Sequence, residues 1–355
     1  MKCVALVAAF VLGLIVIDRG IGAIMHAGFS RIRTGELGGQ VNDAIEHRDR
    51  SVIVFGNSLT KYSVSPTEIQ RLTGESCFNA GCNGQGIYYT KNLQALLLKK
   101  NTQAKTFICV FDWHDLYQND IERVRLFAPF VDESPQIKEF LCSTGTWQSL
   151  KYQSHAYRYN SIGVSIVRHL LRPEQRGDAG FFAIDREYSE NPEDTASMKL
   201  DAMKLDAMKL DATKLDATIA NSSQQFDTQL LSEKLKLYNE FILAAKQASI
   251  ETVFVIPPTF RDGGYPMGAR EQLALFHVTR LAAQHDVPLV WLDESTVVQF
   301  QDEKFFGDQR HLNARGAKLL SRELARHLIK SRSPSENAAP VALIAPALTP
   351  NAPQN

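Results

Sequence analysis

The segment Ser51–Phe55 is a run of β-branched and aromatic residues that stops at Gly56 and Asn57. Such a run is typical of a strand buried on both faces, and glycine and asparagine are turn residues that end it. Ser58 follows at this turn, where a helix is expected to begin. A side chain there projects from the carboxyl edge of a sheet, beside helix N–H groups that stabilise an anion. The segment alone leaves two readings of Ser58, a nucleophile or a helix cap.

Strands and helices alternate along the chain beyond this first unit. The predicted strands are Ser51–Phe55, Cys77–Asn79, Thr106–Phe111, Thr252–Ile256 and Leu289–Leu292. The predicted helices are Pro66–Leu72, Gly86–Lys99, Leu230–Ala248, Gly268–His285 and an amphipathic helix ending near Ile329. This alternation indicates parallel strands joined by right-handed crossovers. We predict an α/β fold, a three-layer α/β/α arrangement around a flavodoxin-like parallel sheet of about five strands.

Asp308 and His311 lie three residues apart, shortly before Asn313, a residue suited to cap the last helix. A serine nucleophile needs a base, and the base needs a carboxylate that orients it. An isolated pair of this kind is also compatible with an ordinary surface. Here the pair follows the last α/β unit, where a parallel sheet gathers its functional loops, so Asp308 and His311 are candidate partners of Ser58.

Together these residues resemble the SGNH (GDSL-like) hydrolase superfamily. Gly56–Leu59 is similar to its first block, usually Gly-Asp-Ser-Leu, and Asn79–Gly84 is similar to the second, which contributes a glycine N–H to the oxyanion hole. Asp308–His311 is similar to the last block, Asp-x-x-His. The three blocks occur in the family's order. The resemblance covers about residues 51–117 and 250–329.

The resemblance implies a serine-dependent ester hydrolase or acyl (acetyl) transferase that works through an acyl-serine intermediate. Ser58 would be the nucleophile, His311 the base and Asp308 the residue that orients the base. The backbone N–H groups of Ser58 and Gly81 would receive the oxyanion. No cofactor and no metal are expected, and the cysteines show no metal-ligand spacing.

The chain departs from the family pattern in two places. Asn57 stands where the first block usually has aspartate, and the third block, Gly-x-Asn-Asp, is not recognisable after the third strand. Asn83 is predicted to supply the missing side-chain donor of the oxyanion hole. Asp112 and Arg261 follow the third and fourth strands and are weaker candidates for substrate contact. The position of Arg261 is more typical of an ordinary exposed arginine than of an anion site. Membrane-anchored members that act on cell-envelope polymers also diverge at the third block, which favours that branch.

The N-terminus carries a targeting segment, predicted over residues 1–25. After Lys2 the chain is apolar from Cys3 to Ile17 and then reads Asp18-Arg19. This pattern matches a signal peptide or a short membrane anchor, and the absence of a small-residue cleavage site favours an uncleaved anchor. The remaining chain is then expected outside the cytoplasm. Residues 26–50 are predicted to be a spacer before a domain at 51–331.

The middle of the chain gives fewer signals. Residues 116–225 are predicted to be an insertion, whose aromatic and basic residues either line a substrate groove or form the core of the insertion. Four copies of a five-residue motif, at 198–217, predict a solvated loop without chemistry. The tail 332–355 is predicted to be disordered. Cys77 and Cys82 are either free or paired.

Three functions remain compatible with the sequence. The first is a hydrolase of carbohydrate or lipid esters in the cell envelope, and the second is an acyltransferase working with a membrane-bound acyl-donor partner. The third is a catalytically silent scaffold or polymer-binding protein at the membrane. Lysine plus arginine equals aspartate plus glutamate at 39 each, so the charge gives no sign of a nucleic-acid partner.

Overall fold

The computed structural model describes residues 2–160, 162–172, 177–188, 228–260, 269–292 and 297–332. Its strands are Val52–Phe55 (β1), Cys77–Asn79 (β2), Thr106–Val110 (β3), Glu251–Ile256 (β4) and Leu289–Trp291 (β5). They form one parallel sheet in the order β2-β1-β3-β4-β5. The predicted α/β class, with a parallel sheet of five strands, is therefore confirmed.

The helices of the α/β units also lie where the sequence predicts them, with small shifts at their ends. The α-helices are Lys2–Phe29 (α1), Gly39–Glu46 (α2), Ser58–Ser63 (α3), Pro66–Thr73 (α4), Ile87–Lys99 (α5), Pro135–Ser143 (α6), Gln148–Lys151 (α7), Gly163–Leu171 (α8), Thr228–Gln247 (α9), Ala269–Gln284 (α10) and Ala314–Arg332 (α11). Shorter 3₁₀ segments are Trp113–Tyr117, Ile121–Phe130, Tyr157–Tyr159, Val298–Gln301 and Glu303–Phe305.

Strand β1 is buried on both faces. Val54 packs in a cluster with Leu320 of α11, whereas Phe55 packs against Phe107 and Phe241 in the other cluster. Side chains of a strand alternate between the two faces of the sheet, so an unbroken apolar run fits this position. The burial of β1 fixes the place where the chain leaves the sheet, which is the turn before Ser58.

The carboxyl ends of the parallel strands lie at one edge of the sheet. Ser58 follows β1, Gly81 follows β2 and Asp112 follows β3. The loop that carries Asp308 and His311 follows β5 and leads into α11. The functional groups of a parallel sheet gather at this edge, and the order of strands brings the β1 turn to a central place.

The segment predicted to be a spacer is packed into the domain instead. Helix α1 continues to Phe29, past the predicted boundary at residue 25, and in α2 Val41 and Ala44 are fully buried. Asn42 Nδ2 donates to the carbonyl oxygens of Phe29 and Ile32, at 2.8 and 3.1 Å. The polar residues Gln40, Asn42 and Asp43 of α2 are buried as well, so the polar composition of this segment concealed its place inside the domain.

Helix α1 is long and apolar enough to cross a membrane, and its apolar stretch is not buried within the protein. The predicted N-terminal apolar helix is therefore present. The repeats at 198–217, Arg261 and the tail after residue 332 lie outside the described residues. Cys77 and Cys82 are buried and unpaired, so the alternative in which they form a disulfide is not realised.

A buried carboxylate joins α4 to α11 and makes stability depend on pH. Glu68 accepts hydrogen bonds from Arg71 at 2.8 and 3.1 Å and from Arg322 Nε at 2.6 Å. The hydrogen bond from Arg71 is the largest cause that lowers the pKa of Glu68, to about 2 from 4.5. A lowered carboxyl pKa stabilises the fold above the unfolded value, and the contribution is lost as pH falls from about 4.5 towards 2.

We expect Glu68→Gln to lower the free energy of unfolding by about 1–2 kcal/mol at neutral pH, since both arginines are half exposed. The difference from the parent should shrink as the pH falls below about 4.5. Urea unfolding at a series of pH values measures it. Glu122→Gln, at an exposed pair with Arg125, is the control and should change stability little. A difference independent of pH would contradict this assignment.

Candidate active site

The turn after β1 places Ser58 at the first residue of α3. Gly56 has φ 147°, and a Cβ there would lie 2.1 Å from Thr60 Oγ1, so the turn requires glycine. Asn57 caps α3, because its Oδ1 accepts a hydrogen bond from Leu59 N at 2.9 Å. Asn57 thus caps the helix that begins at this turn, and the Ser58 side chain faces the loop that follows β5.

Ser58, His311 and Asp308 form a continuous hydrogen-bonded chain. His311 Nε2 lies 2.9 Å from Ser58 Oγ. On the other side of the ring, His311 Nδ1 lies 2.9 Å from both carboxylate oxygens of Asp308. A carboxylate is an acceptor only, so Nδ1 carries the hydrogen and Nε2 is the atom able to accept the serine proton. The structure thus brings together the three side chains predicted to be catalytic.

The loop that carries Asp308 and His311 is held by its own backbone. Asp308 Oδ1 accepts hydrogen bonds from the N–H groups of Arg310 and His311, at 2.9 and 2.8 Å. Asn313 caps α11, because its Oδ1 accepts from the N–H groups of Arg315 and Gly316 at 3.0 and 3.1 Å. These short-range contacts explain why an Asp-x-x-His sequence before a cap residue presents both side chains on one side of the loop.

The surroundings of the triad keep Asp308 ionised and His311 in place. Burial would raise the pKa of Asp308, but the hydrogen bond and charge of His311 and the backbone N–H donors hold the pKa below its ordinary value. The Tyr62 ring meets the His311 ring edge-on, with centroids 5.5 Å apart and an angle of 88° between the planes. A negative Asp308 can therefore stabilise a positive His311 formed when the serine loses its proton.

Two predicted donors of the oxyanion hole differ in availability. The Ser58 N–H has no hydrogen-bond partner in the described part of the chain. The Gly81 N–H donates to Asn79 Oδ1 at 2.9 Å and is already occupied. Gly81 is instead required for packing, since a Cβ there would lie 2.6 Å from Lys61 N in α3. The sequence did not reveal this use of the Gly81 N–H, because it depends on how Asn79 is oriented.

Asn79 is the residue that fastens the second block to α3. Its Nδ2 donates to the carbonyl oxygens of Thr60 and Val64, both at 2.7 Å. Its Oδ1 is the acceptor for the Gly81 N–H. A fully buried asparagine at the end of a strand is thus satisfied by the backbone around the nucleophile, and its role is to position α3.

Asn83 lies beside the triad, but both hydrogens of its amide are used. Asn83 Nδ2 donates to Glu36 Oε1 at 2.7 Å and to Tyr62 Oη at 2.8 Å. The adjacent Gly84 has φ 64°, and its N–H has no hydrogen-bond partner among the residues described. Cys82 N donates to Gly56 O at 3.0 Å, which holds this turn next to the Ser58 turn. Among the described residues, the N–H of Gly84 is therefore an unoccupied donor in this turn, which sequence reasoning did not single out.

Asp112 is buried and surrounded by protein donors. Its Oδ2 accepts from Asn57 Nδ2 at 2.6 Å and from an Arg310 amino group at 2.7 Å, and its Oδ1 accepts from His114 Nδ1 at 2.9 Å. Burial would raise the pKa of Asp112, but His114 and Arg310 hold it below the ordinary value. These contacts tie the cap of α3 to the Asp-x-x-His loop. They indicate that Asp112 positions the site, whereas the sequence suggested a substrate contact.

A cavity of about 280 Å³ lies next to this site. It is bounded by the loop 32–39, by Lys61 of α3, by α8 and by Phe182. Lys61 Nζ lies 4.7 Å from the centre of the Phe182 ring. Glu36, in the same lining, accepts from Asn83, which also donates to Tyr62, and the Tyr62 ring meets His311, so side-chain contacts link the cavity wall to the triad. In the described ranges no cluster of three or more His, Cys, Asp or Glu residues is arranged to hold a metal ion.

Comparison with known proteins gives no further identification. No family model matches the chain, and no curated protein matches it. The geometry around Ser58 and the three sequence blocks are therefore the features that indicate a function. The geometry provides a nucleophile, a base and an oriented carboxylate, an arrangement suited to acyl transfer.

Proposed function

We propose that this protein is a serine-dependent ester hydrolase or acyltransferase of the SGNH type. The observation that carries the proposal is the chain of contacts from Ser58 Oγ to His311 Nε2 and from His311 Nδ1 to Asp308, each at 2.9 Å. In the sequence, Ser58 lies near the beginning of the domain, and Asp308 and His311 lie near its end. Their meeting in this order gives each side chain the partner that its catalytic role requires.

The fold is compatible with this family. The strand order β2-β1-β3-β4-β5 and the burial of both faces of the sheet support a three-layer, flavodoxin-like arrangement. In such a sheet the ligand site lies beyond the carboxyl ends of the strands, at the point where the strand order reverses. Strand β1 stands between β2 and β3, so the turn that carries Ser58 lies at that point.

In the proposed reaction Ser58 Oγ attacks the carbonyl carbon of an ester while His311 Nε2 takes the serine proton. Asp308 stabilises the imidazolium that results. The Ser58 N–H and a second donor from the Cys82–Gly84 turn hold the oxyanion, each donor contributing about 3–4 kcal/mol. The tetrahedral intermediate then expels the alcohol, to which His311 returns the proton. The acyl-serine is resolved by water or by a sugar hydroxyl, again deprotonated by His311.

The proposed substrate is an ester of an envelope carbohydrate or lipid, reached from the membrane. Helix α1 supports a membrane anchor, and the side proposed for the domain is the extracytoplasmic one. The docking of α1 to the domain favours an uncleaved segment, since Phe29 packs against Phe130 and Tyr159. The cavity beside Lys61 offers room for part of the substrate. If the reaction is a transfer, the proposed partner is a membrane-bound acyl donor.

A second candidate is a catalytically silent protein that binds an envelope polymer. The occupied N–H of Gly81 and the engaged amide of Asn83 favour this alternative, because these two of the three predicted donors already have partners. The intact contacts of Ser58, His311 and Asp308 favour an enzyme instead. A binding protein needs a groove and has no use for a serine held against an oriented imidazole.

Covalent labelling of the full chain in detergent with a fluorophosphonate tests the proposal. We expect the probe to add once to the parent protein and not to Ser58→Ala, as seen by intact mass. Ser149→Ala, at an exposed serine, is the matched control and should label like the parent. A folded parent that does not label would favour the silent binding protein. Incubation of a labelled-acetyl ester with and without a sugar acceptor then separates hydrolysis from transfer.

A further inference from the structure

Helix α8 exposes an apolar stripe. The side chains of Val164, Val167 and Leu171 are 86%, 54% and 77% exposed. At about 100° per residue these three positions lie within an arc of about 60°. Ile166 points away from this arc and is buried. A stripe of this kind on a short helix is typical of a surface that is covered by lipid or by another protein.

The stripe lies directly beside α1. Helix α8 packs on α1 so closely that a Cβ at Gly28 would lie 2.8 Å from Ile166 Cγ2. A Cβ at Gly163 would likewise lie 2.8 Å from Met25 Cε. The two helices therefore share an interface at van der Waals distance, and beside it α1 exposes the apolar side chains of Ile21 and Ile24.

A second contact fixes the position of the insertion along the axis of α1. Asp18 accepts hydrogen bonds from Ser154 Oγ at 2.5 Å, His155 N at 2.8 Å and Ala156 N at 3.1 Å. Gly22, one turn further, lies against His155, since a Cβ there would be 2.3 Å from His155 Cβ. The loop 154–156 is thus bound to α1 at the level of Asp18.

The length of the apolar run places this loop at the membrane surface. Cys3–Ile17 spans about 22 Å at 1.5 Å per residue, whereas the hydrocarbon core of a bilayer is about 30 Å thick. Counted from Lys2, a core of this thickness takes about 20 residues and reaches about Gly22, so the interfacial layer covers the next turn, where Met25 contacts α8. Three hydrogen bonds satisfy the Asp18 carboxylate, which lowers the cost of holding a charge near lipid.

Two further residues of the insertion are large, apolar and exposed. Trp147 and Leu150 are 69% and 63% exposed, and they shortly precede the loop that holds Asp18. Tryptophan favours the interfacial layer of a membrane. Arg168, exposed at the edge of the α8 stripe, can reach lipid phosphates from there.

We propose that α7 and α8 form a bilayer-contacting face, in which Trp147, Leu150, Val164, Val167 and Leu171 enter the interfacial layer next to α1. The proposal rests on the proposed membrane anchoring by α1, and it is independent of the chemistry at Ser58. The cavity beside Lys61 is lined by the other side of α8, through Ser165 and His169. A substrate held in the membrane surface would then meet the site without leaving the bilayer.

Lipid quenching of tryptophan fluorescence tests this face in the full chain, reconstituted in vesicles of phosphatidylcholine and phosphatidylglycerol. Lipids brominated near the ester carbonyls should quench the parent, and Trp147→Phe should lose most of that quenching. Trp291→Phe, at the end of β5, is the matched control and should retain it. Equal quenching of the parent and Trp147→Phe would overturn the proposal.

A second variant tests α8 itself and distinguishes lipid from a protein partner. Val164→Asp/Val167→Asp keeps α1 in the membrane and is expected to lower the quenching of Trp147 by about twofold or more. Trp147 shielded from acrylamide but not quenched by brominated lipid would mean that protein covers this face, which would overturn the proposal. Fluorophosphonate labelling of the same samples reports on Ser58. A failure of the proposed function and a failure of the proposed membrane face are therefore distinguished from each other.

Discussion

His311→Ala is expected to lower the rate of ester turnover by about 10⁵–10⁶-fold while the protein remains folded. His311 Nε2 is the only base within hydrogen-bond reach of Ser58 Oγ among the described residues. Without it the serine hydroxyl keeps its proton, and the leaving alcohol has no acid. The half-exposed position of His311 limits the effect on stability. The rate is measured with an activated aryl ester, together with circular dichroism of the variant.

Two further variants make this result specific. Asp308→Asn should cost about 10⁴-fold, less than the loss of His311, because the imidazole remains but its tautomer and its positive form are no longer supported. The combined Ser58→Ala/His311→Ala variant should be no slower than either single variant, since the residues act as a unit. Gln309→Ala, exposed in the same loop, is the control and should keep nearly full activity. Retention of activity within about tenfold in His311→Ala would exclude the proposed base.

Lys234→Met is expected to lower the free energy of unfolding by about 3–5 kcal/mol. Lys234 is fully buried in α9, and its Nζ lies 2.6 Å from Asp115 Oδ1 and 2.5 Å from Asp120 Oδ1. The other oxygens of the two carboxylates accept hydrogen bonds from Tyr238 Oη and from the N–H groups that begin α5. Removal of the lysine leaves two neighbouring carboxylates in the core without a positive charge.

The loss should depend on pH in a defined direction. Burial already raises the pKa of Asp115, with Lys234 acting against it. In Lys234→Met the carboxyl pKa rises further, and a raised carboxyl pKa destabilises the fold increasingly as pH rises above the unfolded value. The difference from the parent should be larger at pH 7.5 than at pH 5. Urea unfolding of both proteins at each pH measures it, with Lys236→Met, at an exposed lysine of α9, as the control. A loss below about 1 kcal/mol would contradict this account.

This buried cluster also matters for the site. The N–H groups bonded to Asp120 and Asp115 belong to Gly86 and Ile87, which directly follow the turn containing Gly84. The cluster therefore fixes the beginning of α5 and, with it, one side of the turn beside Ser58. A partly folded Lys234 variant should lose fluorophosphonate labelling in parallel with its loss of stability.

Local sequence signals determined the sheet and the residues of the triad. The run ending at Phe55 predicted β1 because an apolar β-branched segment that stops at a glycine has few other structures available. The spacing of Asp308, His311 and the cap Asn313 predicted their common loop, because hydrogen bonds among near neighbours build it. Nothing beyond a few residues of context was needed at either place.

The tertiary structure decided which of the predicted groups are available to a substrate. Asn79 reaches back to α3 and occupies the Gly81 N–H, and Asp112 is enclosed by Asn57 and Arg310. Likewise, the polar segment after α1 is packed into the core because its few apolar residues meet partners far along the chain. A hydrogen-bond donor or a helix face is free only when no other part of the folded chain binds or covers it. This depends on the packing of the whole chain, and local sequence patterns carry no information about that packing.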